Sequence, residues 1–331
     1  KSKRLTPNSI AIKKTSHWSV EKVTDIFHNY NSTKFSSILF HNILKSQMSE
    51  FLKKIGNRQL IVPLSGGYDS RLILILLHEL NAKNVLCYTY GTEKHEEVKI
   101  SEAVANTLGY DWKFIKYNDV KISSFLKSTE YDNFLAKHNY AIPHIQDLFA
   151  VKELKENKEI KSDAIFLPGH SADFVAGSHL PIIKLDKTYT NFDVKLRILY
   201  DHGVNNFIKA FYFLFKGFLK KKQKYYKYDE FMKEYEIWDY NNRQISYITK
   251  SCKVYQHYGF EYYMLFWNNS VASYLLGVKL SERLNRQEYC NFVNTLSEKY
   301  SLKTLPVKIK KEHKYLFLSL LKSILWLLLK N

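Results

Sequence analysis

Apolar and polar residues follow one another in blocks along the first half of the chain. Short apolar runs predict buried strands at residues 59–64, 85–90, 112–117 and 164–167. Longer amphipathic stretches predict helices at residues 38–55, 70–81, 95–108, 122–137 and 143–157. Because strands alternate with helices, the pattern indicates an α/β fold built on a doubly wound parallel sheet.

The pattern changes at about residue 190, where strand signals fade and the chain becomes aromatic, basic and helical. Residues 207–218 have the pattern of an amphipathic helix, and three lysines follow at 220–222. We therefore predict three parts: a lead-in over residues 1–57, an α/β domain over 58–190 and a C-terminal all-helical region over 191–331.

The C-terminal tail, residues 315–329, is strongly apolar and follows a basic stretch at 308–314. It is shorter than the roughly 20 apolar residues that a membrane span requires. Two interpretations stay open: a helix that packs on the domain, or an amphipathic tail that lies on an anionic membrane surface.

A run of small and polar residues follows the first predicted strand: residues 65–70 read Ser-Gly-Gly-Tyr-Asp-Ser. A strand, a glycine turn and a helix start meet here, so backbone N–H groups and the helix N-terminus suit an anion such as pyrophosphate. The glycines let a phosphate approach the main chain, and Asp69 beside an anion indicates a shared Mg²⁺ ion. A βα turn without a ligand is the alternative. Arg71 is expected either to contact a phosphate or to be a solvated helix residue.

Composition limits the partners only loosely. The net charge is +18, which suits nucleic acid, anionic lipid or phosphorylated substrates. Cys87, Cys252 and Cys290 are dispersed without the spacing of a disulfide framework or a zinc site, which favours a reducing cytoplasm. We expect a cytoplasmic protein, with peripheral contact to the inner face of the membrane if the tail binds lipid.

A second motif follows the fourth predicted strand, where residues 168–173 read Pro-Gly-His-Ser-Ala-Asp. Ligands of parallel sheets bind beyond the carboxyl ends of the strands, so this turn and the first motif are expected at one edge. Asp173 would complete a clamp for magnesium and pyrophosphate with Asp69. A helix N-cap is the alternative role for Asp173.

These motifs resemble known enzymes. The first is similar to the pyrophosphate loop of N-type ATP pyrophosphatases, and the second to a segment of asparagine synthetases. The string from Pro168 to His179 is more similar to asparagine synthetase-like proteins of bacterial surface-polysaccharide gene clusters, as are Arg243-Gln244 and residues 255–261 and 283–289. The resemblance covers roughly residues 55–305.

The resemblance implies a ligase that uses ATP and Mg²⁺. Such an enzyme activates a carboxylate as an acyl-adenylate, releases pyrophosphate and forms an amide with an amine. The implied metal ligands are Asp69 and Asp173. The implied nucleotide-binding residues are Leu64, Ser65, Gly66, Gly67, Asp69, Ser70, Thr89, Tyr90, Gly91 and Gly169.

The implied partners are a small-molecule carboxylate and an amine or ammonia. No cysteine precedes Cys87, whereas the family's N-terminal glutaminase needs one as its nucleophile. Residues 1–57 are therefore expected to hold at most a remnant of that domain, and another subunit or free ammonia would supply the nitrogen.

The resemblance also implies four catalytic residues: His170, Glu261, Arg286 and Arg243. Amide formation needs a base for the amine and a cation for the developing negative charge. Glu261 matches a glutamate of β-lactam-forming relatives, and His170 is the rival base. Arg286 falls near the family's active-site lysine, and Arg243 is expected to face the phosphates. Phe174 stands where the family has an acidic residue.

Two other functions stay open. A tRNA-modifying ATP pyrophosphatase would suit the positive charge and the many tyrosines and phenylalanines. The lack of a CxxC pair and the Pro-Gly-His-Ser string argue against it, and against nucleic acid as a partner. A non-catalytic protein that keeps the fold and binds a partner is the third hypothesis, which Phe174 and the altered turn at 263–268 favour.

Overall fold

We describe the chain from a computed structural model, over residues 9–14, 17–22, 25–93, 95–137, 145–202 and 224–306. The strands are β1 (Ser9–Lys14), β2 (His17–Lys22), β3 (Leu60–Pro63), β4 (Val85–Gly91), β5 (Asp111–Lys116), β6 (Ile165–Phe166), β7 (Tyr189–Thr190), β8 (Tyr225–Tyr226) and β9 (Glu261–Tyr262).

Helices connect these strands. They are α1 (Ser37–Ile55), α2 (Tyr68–Glu79), α3 (Glu96–Thr107), α4 (Asp119–Leu126), α5 (Thr129–Ala136), α6 (Leu148–Glu156), α7 (Ala172–Val175), α8 (Asn191–His202), α9 (Tyr228–Asp239), α10 (Thr249–Ser251), α11 (Lys253–His257), α12 (Asn269–Gly277), α13 (Leu280–Arg283) and α14 (Gln287–Lys299). A π-helix spans Tyr240–Ile248, and 3₁₀ turns span Leu265–Trp267 and Leu284–Arg286.

The chain divides into two compact units, residues 1–178 with 240–307, and residues 179–239 with 308–331. The first contains a parallel sheet of strand order β5-β4-β3-β6-β9, with helices on both sides. From β3 the chain proceeds outward to β4 and β5, then returns to build β6 and β9 on the other side. The switch point therefore lies between β3 and β6, where ligands of such sheets bind. The predicted doubly wound α/β fold is confirmed.

Burial explains why these residues form a central strand and its helix. Leu60, Ile61 and Val62 are almost fully buried, as expected of a strand covered on both faces. The six apolar residues 72–77 of α2 are equally buried. In α1, Phe40, Leu44 and Met48 repeat every fourth position and form its buried stripe. The sheet and its helices thus share one apolar core, which holds the strand ends in place.

The structure departs from the predicted elements in three places. The helix expected over residues 122–137 is two helices, because Ser128 ends α4 and caps α5 by accepting a hydrogen bond from Tyr131 N. The fifth strand, β9, was not predicted, since two residues are too few to show a period. Residues 240–306 belong with the sheet, so the compact units differ from a boundary at residue 190. The amphipathic pattern at 207–218 and the tail at 308–329 lie outside the described residues.

The second unit is small. Strands β7 and β8 pair antiparallel, and Tyr189 lies opposite Tyr226. His179 Nδ1 lies 2.6 Å from Asp239 Oδ2, and Tyr235 donates a 2.8 Å hydrogen bond to Asp201. None of the helices within the described ranges combines the length and apolar character that a membrane crossing demands.

Candidate functional site

A cleft of about 510 Å³ lies at the carboxyl ends of β3, β4 and β6 in the first unit. Three loops border it: the one after β3, the end of β4 and the turn after β6. Its lining includes the predicted residues Leu64, Ser65, Asp69, Ser70, Thr89, Tyr90, Gly91, Gly169 and His170. The two motifs, about 100 residues apart in sequence, are therefore parts of one cavity.

The loop after β3 is held closed by its own serines. Ser65 N donates a 3.0 Å hydrogen bond to Ser70 Oγ, and the two hydroxyls lie 3.1 Å apart. Gly67 N donates to Ser65 Oγ at 3.3 Å. Gly67 also occupies the N-cap of α2, where no side chain caps the helix. The N-terminus of this 12-residue helix thus opens toward the cleft without a competing cap, which suits an anion.

Two glycines allow the loops to approach each other. A Cβ on Gly169 would lie 3.0 Å from Ser70 N and 3.2 Å from Asp69 Cβ, so the turn after β6 touches the first loop. A Cβ on Gly66 would lie 2.7 Å from Glu97 Cγ and 3.0 Å from Glu97 O. A Cβ at Gly66 would be too close to Glu97, and a Cβ at Gly169 would require the backbone of the first loop to shift. The close approach therefore explains both glycines without any appeal to unusual backbone angles.

Asp69 is the most strongly paired side chain of the loop. Arg286 Nη2 donates to Asp69 Oδ1 in a very short contact, and Tyr289 donates to the same oxygen at 2.9 Å. Burial raises the pKa of Asp69, Arg286 lowers it and the charge of Asp173 raises it further. Burial opposes the charge on Arg286, but Asp69 and, more weakly, Asp173 outweigh it and raise the pKa of Arg286. The two predicted metal ligands and the predicted cation therefore interact electrostatically.

The donor set around Asp69 and Asp173 fits Mg²⁺. Two carboxylates supply hard oxygen ligands, and the ion usually completes its shell with phosphate oxygens and water. No group of three or more His, Cys, Asp or Glu side chains suited to a metal occurs among the described residues. Asp69 and Asp173 are therefore the residues here that would hold such an ion together with phosphate oxygens and water.

The backbone around Arg286 and in the second motif is unusual. Asn285 and Arg286 have φ of +59° and +61°, and Ser171 has φ of +70°. Non-glycine residues in this left-handed region cost about 1 kcal/mol or more each and cluster at functional sites. In this conformation Arg286 precedes α14, and its guanidinium lies 4.9 Å from the ring centre of Tyr289.

A second part of the cleft is formed by the end of β4. Leu64 N donates to Tyr88 O at 2.8 Å, and Thr89 Oγ1 donates to Leu64 O at 2.6 Å. Tyr90 stacks on Tyr117 with ring centres 5.0 Å apart. The ends of β3 and β4 are thus joined by hydrogen bonds, and an aromatic pair stands beside them, as a flat base would require.

Arg71 is not the solvated helix residue that was one of the two expectations. Its side chain is fully buried, and Nη1 donates to Lys303 O in a very short contact. Nε and Nη2 have no hydrogen-bond partner among the described residues. Nearby, the Tyr68 hydroxyl donates to Leu305 O at 2.7 Å. The first turn of α2 therefore holds the segment after α14 by hydrogen bonds, and Arg71 is buried there and is not among the residues that line the cleft.

Glu261 lies at the opposite edge of the sheet. It is the first residue of β9 and pairs in register with Ile165, the first residue of β6. Its side chain is 71% exposed and accepts a 3.0 Å hydrogen bond from Arg58, which precedes β3. The expectation that Glu261 reaches the cleft is therefore corrected: the residue stands at the amino ends of the strands, a strand length from the loops.

Arg243 lies near the second motif but does not line the cleft. It belongs to the π-helix, whose next residue, Gln244, is buried and accepts a 3.0 Å hydrogen bond from Ser171 Oγ. The π-helix therefore supports the turn after β6. Contact of Arg243 with phosphates stays a prediction.

Residues that replace family positions have structural contacts. Phe174 is fully buried and stacks on Tyr240 at 6.3 Å. Tyr263 stacks on Phe51 at 4.1 Å, and Asn268 caps α12 by accepting from Ser270 N. These side chains fill the core or cap a helix. None of them supplies the carboxylate that the family has at the position of Phe174.

Asp147 is a cleft residue that the sequence did not reveal. It lines the cavity and accepts hydrogen bonds from Tyr88 at 2.8 Å and Tyr255 at 2.5 Å. Burial raises the pKa of Asp147 to about 6, although both hydroxyls lower it. In sequence it stands at the start of a predicted helix, where aspartate is ordinary. Only the fold shows that it faces the same cavity as the loop.

Comparison with protein families gives a match to the model described as asparagine synthase, over residues 54–309. Comparison with curated proteins gives no match. Among solved structures, one match is an NH3-dependent NAD synthetase from Campylobacter jejuni subsp. jejuni NCTC 11168 in complex with the nitrate ion. It is 15% identical with a TM-score of 0.32, and the match covers 68% of this chain and 94% of that chain.

Proposed function

This chain belongs to the asparagine synthase family, and from that premise we propose that it is an ATP-dependent carbon–nitrogen ligase that forms an amide. In the proposed reaction a substrate carboxylate attacks the α-phosphorus of ATP. An acyl-adenylate forms as pyrophosphate leaves, and an amine then displaces AMP. The observation that carries the proposal is the union of the serine–glycine loop, Asp69, Asp173 and Arg286 at the switch point of the sheet.

In the first step the protein would position the phosphates and neutralise their charge. The open N-terminus of α2, the backbone of Gly66 and Gly67 and the hydroxyls of Ser65 and Ser70 would bind pyrophosphate. Arg286 would move its contact from Asp69 to the phosphates as they enter. Adenine would lie beside the joined ends of β3 and β4, near Tyr90.

Asp69 and Asp173 would hold Mg²⁺. The ion would neutralise the charge that develops on pyrophosphate.

The acceptor side would include His170, which lines the cleft next to Gly169. An imidazole titrates near neutral pH and suits a group that accepts a proton from an amine. We further propose that the nitrogen comes from ammonia or an amine supplied by a separate subunit. The acid would be a precursor of a surface polysaccharide, and residues 308–329 would contact the inner face of the membrane. The similarity of the second motif to known proteins supports the nitrogen source and the acid. The composition of the tail supports the membrane contact.

Exchange of labelled pyrophosphate into ATP tests the proposal. The full chain is incubated with ATP, Mg²⁺ and a panel of amino acids, uronic acids and dicarboxylic acids, and Asp69→Asn serves as the inactive control. We expect exchange that depends on one class of acid and is abolished by the substitution. Lack of exchange with every acid, together with lack of ATP binding by calorimetry, would refute the ligase.

A further inference from the structure

The carboxylate of Asp147 is fixed in the cleft by tyrosines on two elements. Tyr88 lies on β4 and Tyr255 on α11, and each hydroxyl donates to a different oxygen of Asp147. Tyr117 donates to the carbonyl of Gln146, the residue before it. The carboxylate is therefore held at both oxygens, and the backbone before it is held by Tyr117, so the side chain has little freedom to rotate.

Asp147 stands at a helix-capping position, but its side chain does not cap the helix. It occupies the N-cap of α6, where aspartate usually accepts a hydrogen bond from the first turn. Its side chain makes no such bond and faces the tyrosines instead. The geometry therefore directs a charge into the cleft at the expense of the helix end.

The described residues around Asp147 supply hydroxyl donors rather than a cation. No lysine, arginine or histidine in the described ranges forms an ion pair with Asp147. The groups that share its electrostatic environment are Tyr88, Tyr90, Tyr117, Tyr255 and Cys252. A carboxylate that two tyrosine hydroxyls fix among neutral side chains forms a site for a small ammonium group, because water screens its charge only weakly there.

We infer that Asp147 binds the ammonium form of the amine substrate and receives its first proton. The inference rests on the proposed ligase function and assigns its nucleophile to a class: ammonia or a primary amine that is charged in solution. Asp147 would replace Glu261, which stands at the other edge of the sheet, as the carboxylate on the acceptor side.

The step balances as follows. The ammonium group transfers one proton to the Asp147 carboxylate, which leaves a neutral amine with a lone pair. The nitrogen forms a bond to the acyl carbon, and the bond between that carbon and the AMP oxygen breaks. AMP leaves with the electron pair, and the second proton of the nitrogen passes to His170, which lines the same cleft. No oxidant, reductant or further reactant is needed.

The test compares a charged and an uncharged nucleophile. The full chain, Asp147→Asn, Tyr255→Phe and the exposed control Asp186→Asn are assayed with the acid that supports pyrophosphate exchange. Ammonium and methylammonium are the charged nucleophiles, and hydroxylamine, which is mostly uncharged at pH 7, traps the acyl-adenylate as a hydroxamate. Unfolding midpoints and the KM for ATP are measured for each variant.

For Asp147→Asn we expect kcat/KM for the charged amine to fall about 30-fold or more. Exchange, hydroxamate formation and the KM for ATP should stay within about threefold. Tyr255→Phe should show the same selective loss to a smaller extent, and Asp186→Asn should show none.

Three results would overturn the inference. Equal losses with hydroxylamine and ammonium would give Asp147 a general structural role, and unchanged ammonium kinetics would give it none. A raised KM for ATP alone would place the nucleotide there. Absence of exchange in the unmodified chain is a different outcome, since it removes the ligase itself.

Discussion

Two carboxylate–arginine pairs lie at opposite ends of the strands of the same sheet. Asp69 and Arg286 meet at the carboxyl ends of the strands, with side chains 24% and 15% exposed. Glu261 and Arg58 meet at the amino ends, with side chains 71% and 28% exposed. Equal chemistry thus lies in two environments, and both glutamate and aspartate matched family motifs in the sequence.

The difference shows that a matched motif predicts a role only if the fold brings it to the functional edge. Asp69 receives two hydrogen bonds, interacts with Asp173 and has a shifted pKa. Glu261 has one exposed partner, and exposed ion pairs typically contribute 0–1 kcal/mol. Seven substitutions test this contrast.

The largest effect is expected from Asp69→Asn. The change removes the charge that would bind Mg²⁺ and balance Arg286, so pyrophosphate exchange should fall about 10³-fold. Rates are measured at saturating ATP, and circular dichroism confirms the fold. A rate within tenfold of the unmodified chain would contradict the role of the loop.

Asp147→Asn should change the pH dependence of stability. Burial raises the Asp147 pKa from 3.8 to about 6 in the folded protein, so ionisation costs stability. Well below pH 3.8, the carboxyl is protonated in both states and the variant gains little. As pH rises from 4 to 6, only the unfolded chain ionises freely, and the variant becomes more stable by up to about 3 kcal/mol.

Urea unfolding between pH 4 and 8 measures this difference. The surrounding groups that could contribute are Tyr88, Tyr90, Tyr117, Tyr255 and Cys252, and burial raises the pKa of each. They stay neutral over this range, so Asp147 should account for the change. A difference between the proteins that is constant with pH would argue against a buried, ionised carboxyl.

Arg286→Lys should lower the exchange rate about 30-fold, because lysine keeps the charge but loses the planar guanidinium that contacts Asp69 and Tyr289. Arg58→Lys is the matched change at the amino edge, where we expect less than a twofold effect. Equal effects of the two substitutions would erase the contrast between the edges.

Glycines at the two edges should respond differently to alanine. At Gly169 the new Cβ would contact Ser70 and Asp69, so exchange should fall about tenfold. Gly259 has open space but a φ of +87°, so alanine there should cost about 1 kcal/mol of stability and leave the rate unchanged. Exchange rates and unfolding midpoints of both variants distinguish a steric from a conformational requirement.

The smallest effect is expected from Glu261→Gln. Breaking an exposed pair should change stability by less than about 0.5 kcal/mol and exchange by less than twofold. Amide formation is measured in the same preparation. A tenfold loss of amide formation with normal exchange would restore Glu261 as the base.

Much of the architecture could be predicted from the sequence, because long apolar and amphipathic segments carry their period. The strands that became β3, β4 and β5 and the loop after β3 were predicted within about two residues of their observed bounds. The short strand β9 could not be predicted, since Glu261 and Tyr262 gain their conformation from pairing with Ile165 and Phe166.

Side-chain environments were harder to predict. The sequence places Asp147 at a helix start, but its meeting with Tyr88 and Tyr255 joins residues 59 and 108 positions away. Arg71 follows the loop directly, yet the return of residues 303–305 buries it. Both environments depend on packing between residues that are far apart in the sequence, which the local pattern of apolar and polar residues does not reveal.

The hydrogen bonds from Tyr68 and Arg71 to the carbonyls of Leu305 and Lys303 have a consequence for the motion of the chain. A ligand that reduces the motion of the first turn of α2 should also reduce the motion of the backbone segment just after α14. Amide protons of residues 302–305 should then exchange with deuterium more slowly when nucleotide is bound. Binding of a nucleotide at the phosphate loop could then be detected from hydrogen exchange in the segment after α14.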